Sequence, residues 1–345
     1  MRIEMGGSVR KQGPHSWHKW HDSQKRLHRW LDRYMIYVTP SALLVGLLFS
    51  HLLADRAGLV PLFFACVTFV MGTGVKWQHF AVLRSQWVLL LWLYGVLHLL
   101  MPLIVWLLGG WLLDDPDLIA GYVLFTAIPI GISAVVWIGV MRGNVAAALS
   151  MIVIDTMLSP LTVPVTLLVL TGEHAALQGT KMMLNLLLMV GLPTAAGMGV
   201  GRWAASTAPG ARWIEAALPT LGTVSKFSFL IVLVLNSAYV APKLSAMEED
   251  LWLIIPVFSI GVVLLGYAAG WLLEKLYVYI APGTAGEGQQ ASRHDLIFLS
   301  GLRNVSLGLV IAAQFLPPLA AIPVVLSILL QQPVASIVQR WRVRS

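Results

Sequence analysis

Two charged side chains in apolar surroundings are the residues of this sequence best suited to chemistry. Asp155 and Arg303 each lie within a long apolar segment, where a charge costs about 2.5–3.5 kcal/mol on insertion scales and normally faces the interior of a helix bundle. Asp155 could take up and release a proton, because burial disfavours the charged form of a carboxyl group. Arg303 could hold the carboxylate of a bound anion through two parallel hydrogen bonds. The two residues could equally form a static ion pair that only fixes helix register.

Two apolar segments are interrupted close to these charges. Pro129 and Gly131 break the segment that precedes Asp155, and residues 300–305 break the segment that holds Arg303. Inside a bilayer such a break survives only where the backbone faces protein or a wet cavity, and transporters bind their substrates at broken helices. We therefore assign a substrate or coupling site to Asp155, Arg303, Asn304, His98, Pro129, Gly131, Ser133, Trp137, Thr156, Ser300 and Gly301.

The other polar residues of this set have a structural interpretation beside the functional one. His98 could relay protons, but a lone histidine on an apolar helix is more often hydrogen-bonded to a neighbouring helix. Ser133 and Thr156 could line a cavity, or they could only bond between helices. Trp137 follows the first break closely, and it is the aromatic side chain that we consider for substrate contact.

The composition describes an integral membrane protein. Hydrophobic residues make up 58% of the chain and charged residues 11%, about half the charged fraction of a soluble domain. The net charge of +7 is what basic cytoplasmic loops produce in such a protein, so nucleic acid is not an expected partner. No metal or cofactor is expected either, since His15, His18 and His21 lack further ligands at a suitable spacing and the glycine-rich segment 282–288 lacks a phosphate-loop lysine.

Apolar segments long enough to span a bilayer predict ten transmembrane helices. Lys and Arg concentrate on the side of the two termini, and only Arg56, Lys181 and Lys243 fall in loops on the other side. The positive-inside rule therefore predicts that both termini are cytoplasmic. The spans are placed near residues 35–53, 57–74, 87–112, 118–141, 145–170, 181–201, 218–240, 251–279, 295–316 and 318–339, the fourth and ninth being broken.

The order of these spans predicts a symmetric architecture. Ten spans with both ends on one side divide into two groups of five, and an odd number of spans turns the second group upside down relative to the first. We predict a transporter domain over residues 35–341, with one repeat near 35–170 and the other near 181–341. Residues 1–34 are predicted to form a basic amphipathic segment at the cytoplasmic surface of the lipid. The acidic run 114–117 and residues 248–250 are interpreted as caps of the helices that follow them.

Short motifs add a resemblance to a known family. Residues 142–146 (Arg-Gly-Asn-Val-Ala), Ser159-Pro160-Leu161 and Gly301-x-x-Asn304 resemble the bile acid:sodium symporter family, and the run of spans extends this resemblance over roughly residues 35–341. The resemblance implies an all-α integral membrane protein of ten transmembrane helices in two inverted five-helix repeats. It also implies a panel and a core domain, with broken fourth and ninth helices that cross in the core. Family members carry organic anions such as bile acids or small carboxylates, driven by sodium.

The residues at the family's sodium-ligand positions are unsuited to sodium. A hard cation needs several oxygen ligands, but the positions that carry them in the family are occupied here by Ala134, Val135, Ala148, Ile152, Leu299, Leu97 and Arg303. A fixed guanidinium at position 303 could take the place of a bound cation. The sequence therefore argues against the family's usual sodium coupling.

The function that fits best is a secondary transporter of small organic anions that works by alternating access in the cell membrane. Its coupling would be to protons, or it would act by exchange or uniport, with sodium doubtful. Sodium-coupled symport through an altered site and a transporter-like substrate sensor remain the alternatives. An enzyme is not expected, because the spans contain no nucleophile with a base and no paired carboxylates. A metalloid carrier is not favoured, because Cys66 is far from the break.

Overall fold

The structure is a computed structural model that describes residues 37–38, 40–75, 87–244, 251–280 and 295–344. The predicted amphipathic segment 1–34 and the acidic residues 248–250 lie outside the described residues. Within these ranges the backbone is helical apart from turns and one isolated β-bridge. The helices are α1 (40–48 and Ser50–Leu53), α2 (Val60–Thr73), α3 (Trp87–Leu112), α4 (Pro116–Ala127), α5 (Ser133–Val140), α6 (Val145–Thr171), α7 (Glu173–Ser206), α8 (Ala208–Leu244), α9 (Leu251–Ile280), α10 (295–301), α11 (Val305–Phe315) and α12 (Ala321–Arg344).

The described residues contain seven segments that are long and apolar enough to cross a membrane. They are Ser50–Thr73, Trp87–Leu112, Val145–Thr171, Gly179–Ser206, Ala208–Pro242, Trp252–Tyr277 and Pro318–Arg342. The two interrupted segments contribute the shorter apolar helices α4 and α11. The chain is thus an all-helical, multi-pass protein, while ten spans in inverted repeats stay a prediction.

Helices α7 and α8 are longer than the sequence predicts. The apolar pattern placed spans at 181–201 and 218–240, but the helices run over Glu173–Ser206 and Ala208–Leu244. Hydropathy marks only the part of a helix that suits the hydrocarbon layer, about 20 residues, whereas the backbone bonds of a helix continue into polar sequence. At the start of α4 the predicted cap is confirmed, since Asp115 accepts hydrogen bonds from the N–H groups of Asp117 and Leu118 at 2.8 and 3.3 Å.

One group of helices, α1, α2, α7 and α8, packs through glycine. A Cβ atom at Gly72 would overlap the carbonyl oxygen of Thr194, and one at Gly197 would overlap that of Phe69. A Cβ atom at Gly46 on α1 would likewise overlap α8. Small residues let membrane helices approach this closely and gain van der Waals contact. We call this group the panel, after the panel domain that the resemblance implies.

The remaining helices form a second group, which we call the core. Helix α4 packs against α3, α6 and α12, and α9 packs against α12. Gly266 and Gly270 on α9 lie against the backbone of α10 so closely that a side chain at either would crowd a carbonyl oxygen. The hydroxyl of Tyr122 on α4 donates to the carbonyl of Ile255 on α9 at 2.8 Å. Three core helices contact the panel: α6 packs against α7, α11 against α2, α7 and α8, and α12 against α8.

A proline opens the backbone of α3 where it passes the core. Residues Val96–Leu100 form a π-turn, in which the N–H of Met101 bonds to the carbonyl of Val96. Pro102 has no N–H to offer, so the carbonyls of Leu97 and His98 lack their helical donors. Other parts of the core supply donors to both: the Leu97 oxygen accepts from Arg303 at 3.1 Å and the His98 oxygen from Thr166 at 3.5 Å. Because of Pro102, the Leu97 carbonyl oxygen is available to accept a hydrogen bond from Arg303.

Candidate functional site at the helix crossing

The two interruptions predicted from the sequence meet each other in the core. Residues 128–132 and 302–304 leave the helical conformation and lie antiparallel, with a bridge between Ile130 and Arg303. The N–H of Gly131 donates to the Leu302 carbonyl at 2.9 Å, and the N–H of Asn304 donates to the Pro129 carbonyl at 2.7 Å. We call these two segments the crossing. The breaks satisfy their own backbone groups, as non-helical backbone at membrane depth must.

Glycine and asparagine residues allow the chain to enter and leave the crossing. A Cβ atom at Gly131 would lie 2.6 Å from the Arg303 carbonyl oxygen, so a larger residue would push the two segments apart. Asn304 caps α11 by accepting from the N–H of Leu307 at 3.2 Å, and Asn144 caps α6 by accepting from that of Ala147 at 3.0 Å. These asparagines belong to the motifs that carry the family resemblance, and their visible role is to start helices beside the site.

Asp155 on α6 is fully buried and holds the first break. Its Oδ2 accepts the N–H of Ile130 at 2.7 Å, and its Oδ1 lies 2.7 Å from Nε2 of His98 on α3. The other ring nitrogen of His98, Nδ1, lies 3.1 Å from the carbonyl oxygen of Ala127 at the end of α4. His98 is therefore bonded to neighbouring helices on both sides of its ring. Together these contacts tie α3, α4 and α6 to the middle of the crossing.

Arg303 lies in the second break with 3% of its surface exposed. Its Nη1 donates to the Ile128 carbonyl at 3.2 Å, and its Nη2 donates to the Leu97 carbonyl at 3.1 Å. Among the described residues it makes no direct ion pair with Asp155, whose ion-pair partner is His98. The guanidinium thus bonds to a backbone oxygen of α3 and to one of the first break, and Nη2 also lies 3.7 Å from the Met101 sulfur. Nε is its nitrogen without a protein acceptor in the described part of the chain.

Two amides on α12 complete the site, and sequence reasoning missed both. The Oε1 of Gln331 accepts the backbone N–H of Arg303 at 2.9 Å. The Oε1 of Gln332 accepts from Nε1 of Trp137 at 3.0 Å, and the Trp137 ring stacks on Phe298 with centroids 6.2 Å apart. Trp137 is consequently held between α10 and α12. The signal that could have found these residues is two adjacent glutamines inside the last apolar span, where uncharged polar groups need partners.

Two predicted site residues have hydroxyl groups without a protein partner in the described part of the chain. Thr156 and Ser300 are buried, and neither Oγ atom has a hydrogen-bond partner among the described residues. The Nε2 of Gln331 likewise has no hydrogen-bond partner among the described residues. Gly301 is pressed against the ring of Tyr267, whereas Ser133 lies half-buried at the start of α5. The crossing therefore retains polar groups that a bound molecule could use.

A cavity of about 310 Å³ lies between the two helix groups. Pro61, Leu62 and Ala65 of α2 and residues 185, 188 and 189 of α7 line its panel side, and Gln314 of α11 lines its core side. The amides of Asn185 and Gln314 give this otherwise apolar cavity two polar groups. Its volume suits a small ligand.

The resemblance assigns the family's sodium-ligand positions to seven residues of this chain, most of them in apolar packing. Five are the almost fully buried Leu97, Ala134, Ala148, Ile152 and Leu299, each with 1% or less of its surface exposed, and the others are Val135, which is half-buried, and the buried Arg303. None of these side chains carries an oxygen. The residue set present here does not fit a sodium ion at these positions.

Comparison with known proteins agrees with this architecture. Residues 61–246, more than half of the chain, match the Sodium Bile acid symporter family. The chain belongs to this family. Family members are transporters, so the chain is a multi-pass membrane transporter.

Two relatives in Bacillus subtilis (strain 168) cover most of the chain. The uncharacterized protein YbaS is 33% identical over 305 residues, which are 88% of this chain and 94% of YbaS. The uncharacterized sodium-dependent transporter YocS is 23% identical over 293 residues, which are 84% of each chain.

Proposed function

We propose that this family member is a secondary transporter that moves a small organic anion across the cell membrane by alternating access and does so without the family's sodium sites. The observation that supports the proposal most directly is the Arg303 guanidinium of the second break, which is bonded to a carbonyl of α3 and to a carbonyl of the first break. A permanent positive charge there takes the place that a coupling cation would otherwise hold.

Electrostatics supports the argument against sodium. Two like charges 4 Å apart repel each other by about 4 kcal/mol at an effective dielectric constant of about 20. A sodium ion beside Arg303 would meet that repulsion without the oxygen ligands that offset it elsewhere. Asp155 could attract a cation, but both of its oxygens are already engaged by Ile130 and His98.

The same charge favours an anionic substrate. Arg303 draws anions towards the crossing through a low-dielectric surrounding, where charges act more strongly than in water. Direct contact with a carboxylate would require Arg303 to exchange its carbonyl partners or to use Nε, whereas a substrate in the panel–core cavity would feel the charge without contact. The amides of Asn185 and Gln314 in that cavity offer hydrogen bonds to a carboxylate.

We further propose the topology in which this transport would occur. Ten spans form two inverted five-helix repeats, near residues 35–170 and 181–341, with both termini in the cytoplasm and residues 1–34 on the membrane surface. Support comes from the two broken segments, which occupy matching places in the two halves and cross each other. In this scheme the panel moves relative to the core, and α11 and α7 form the boundary between them.

Exchange in proteoliposomes tests the proposal. Liposomes containing the purified protein would be loaded with one unlabelled carboxylate and placed in the same labelled compound, with sodium and potassium absent on both sides. The compounds tested would be taurocholate, pyruvate, lactate, succinate and benzoate. We expect exchange of at least one compound above the level of protein-free liposomes and of an Arg303→Ala variant.

Exchange that appears only when sodium is added would contradict the proposal. It would instead favour the second candidate, sodium-coupled symport through an altered site, for which the printed description of YocS as sodium-dependent is the supporting observation.

A further inference from the structure

The contact between His98 and Asp155 constrains where protons can be. A carbonyl oxygen only accepts hydrogen bonds, so the 3.1 Å contact of Nδ1 with the Ala127 oxygen requires a proton on Nδ1. The 2.7 Å contact between Nε2 and Oδ1 of Asp155 then needs a proton of its own. Without it, the lone pair of a neutral imidazole would face the lone pairs of a carboxylate. The arrangement is satisfied only when the pair holds two protons in total.

Free side chains hold fewer protons than this. Above neutral pH a solvated histidine carries one ring proton and a solvated aspartate carries none. The folded pair therefore binds one additional proton, either as imidazolium with carboxylate or as imidazole with carboxylic acid. The Oδ2 of Asp155 still accepts the N–H of Ile130 in both forms.

We propose that the His98–Asp155 pair is a proton-binding site that takes up one proton and releases it in each transport cycle. Its role in transport rests on the proposed function, but the binding of the proton does not. The step is a simple proton transfer: a proton from water on one side of the membrane joins the pair, and the same proton leaves to water on the other side. No bond other than those to the proton is made or broken.

Among the residues whose side chains the structure describes, few other groups near the pair could take this proton. Tyr94, one turn before His98, stacks on the imidazole with centroids 5.5 Å apart and donates its hydroxyl to the Met151 carbonyl. Arg303 contributes a fixed positive charge, and its backbone pairs with Ile130, whose N–H bonds to Asp155. On the other helices packed against α6, the Tyr122 hydroxyl bonds to α9, and Lys181 is exposed.

Proton release would change both the net charge and the hydrogen bonding at the crossing. With the additional proton, the pair and Arg303 carry one net positive charge between them, and without it they carry none. Loss of the proton also makes the lone pairs of Nε2 and Oδ1 repel each other. We expect Asp155 to shift as a result, which changes its hydrogen bond with the N–H of Ile130. Proton binding therefore does two things: it makes the site attractive to a monovalent anion and it favours the crossing seen here.

The variant Asp155→Asn offers an isosteric test. Its amide N–H can donate to Nε2 of His98, and its amide oxygen can accept from Ile130, so it reproduces the proton-bound hydrogen bonds without a proton. The matched control is Asp295→Asn, since Asp295 is also a buried carboxylate that accepts a backbone N–H, that of Asn144 at 3.0 Å, but it lies at the start of α10 away from the pair.

The first readout is thermal stability against pH, which needs no substrate. A native state that binds one proton more than the unfolded state loses stability as pH rises. We expect the apparent Tm of the wild type and of Asp295→Asn to fall above about pH 7, where an unfolded histidine is neutral, and that of Asp155→Asn to fall much less. Equal alkaline losses in wild type and Asp155→Asn would overturn the proton site.

The second readout is transport of whichever tested carboxylate undergoes exchange. A pH gradient, alkaline inside and free of sodium, should make wild type and Asp295→Asn accumulate the compound and acidify the lumen, as reported by a trapped dye. Asp155→Asn should lose at least tenfold of both signals. Accumulation that persists in Asp155→Asn would overturn the role of the pair in coupling, whereas absence of exchange in the wild type would contradict the proposed function instead.

Discussion

At the scale of single residues, Arg303 and Asp155 divide the work at the crossing. Arg303 donates to the buried carbonyl oxygens of Leu97 and Ile128. Asp155 accepts the N–H of Ile130 and bonds to the ring of His98. Their hydrogen bonds involve charged groups, which contribute about 1.5–3 kcal/mol each. Both residues therefore link a local charge to the position of a whole helix.

Arg303→Lys tests whether the geometry of the guanidinium matters beyond its charge. A compact ammonium cannot donate to two carbonyls in the fixed fork that arginine presents. We expect a loss of about 1.5–3 kcal/mol of stability, equivalent to one charged hydrogen bond, together with at least a tenfold fall in exchange. Thermal unfolding and exchange in proteoliposomes would measure these effects, with the exposed Arg340→Lys as control. Unchanged exchange in Arg303→Lys would show that charge alone is sufficient.

The sequence predicted which residues lie in the site better than it predicted their partners. A charged residue within an apolar span is conspicuous in the sequence, so Asp155 and Arg303 could be found without a structure. Their pairing could not, because partners on three helices depend on helix rotation and on the open carbonyls of α3. The resulting ion pair is between Asp155 and His98, and Arg303 bonds to backbone oxygens that no sequence pattern displays.

At the scale of helices, proline and glycine determine where backbone N–H and carbonyl groups lack a partner within their own helix and can bond to other segments. Pro129 with Gly131 and the Ser300–Gly301 pair marked both breaks in the sequence, because each interrupts an apolar run. The π-turn of α3 was not predicted, since a proline in a helix usually means only a kink. Its effect here is to free two carbonyls for Arg303 and Thr166.

Pro102→Ala should separate helix stability from function. Alanine restores an N–H to α3 and removes a proline whose cost inside a helix is about 3 kcal/mol. If the π-turn then closes, the Leu97 carbonyl is satisfied within α3 and Arg303 loses a partner. We expect thermal stability that equals or exceeds the wild type and exchange that falls at least fivefold. Pro256→Ala in α9 serves as control, and a fall in exchange of equal size there would contradict the special role of Pro102.

Glycine packing within the panel gives a matched pair of variants. A Cβ atom at Gly197 would overlap the Phe69 carbonyl, whereas one at Gly199, two residues along α7, meets nothing within 4 Å. We expect Gly197→Ala to destabilise the protein by about 1–3 kcal/mol through overpacking. Gly199→Ala should be neutral or stabilising by up to about 1 kcal/mol. Thermal unfolding of both variants would decide, and equal melting temperatures would contradict the described contact of α2 with α7.

At the scale of the whole molecule, the panel and the core meet through α6, α11 and α12, and the panel–core cavity lies open between α2, α7 and α11. The proposed topology puts this cavity towards the outer face, because α2 and α7 begin on that side. A transporter that alternates between two openings needs such a boundary, with the crossing as the part that senses the bound molecules.

Cysteine labelling tests this orientation. With Cys66 replaced by serine, Asn185→Cys should react with a membrane-impermeant maleimide added to intact cells, and an exchanged substrate should slow that reaction. Lys275→Cys, near the predicted cytoplasmic end of α9, should react only after the cells are opened. The reverse pattern would contradict the proposed topology but would leave the geometry of the crossing unaffected.

One comparison tests most directly which ion drives this transporter. Proteoliposomes containing the wild-type protein would receive a labelled carboxylate under an imposed proton gradient without sodium, or under an imposed sodium gradient at equal pH. The account predicts accumulation with the proton gradient and none above protein-free liposomes with the sodium gradient. Accumulation driven by sodium alone would contradict it, because an ion would then be bound at positions that the structure fills with Arg303 and apolar side chains.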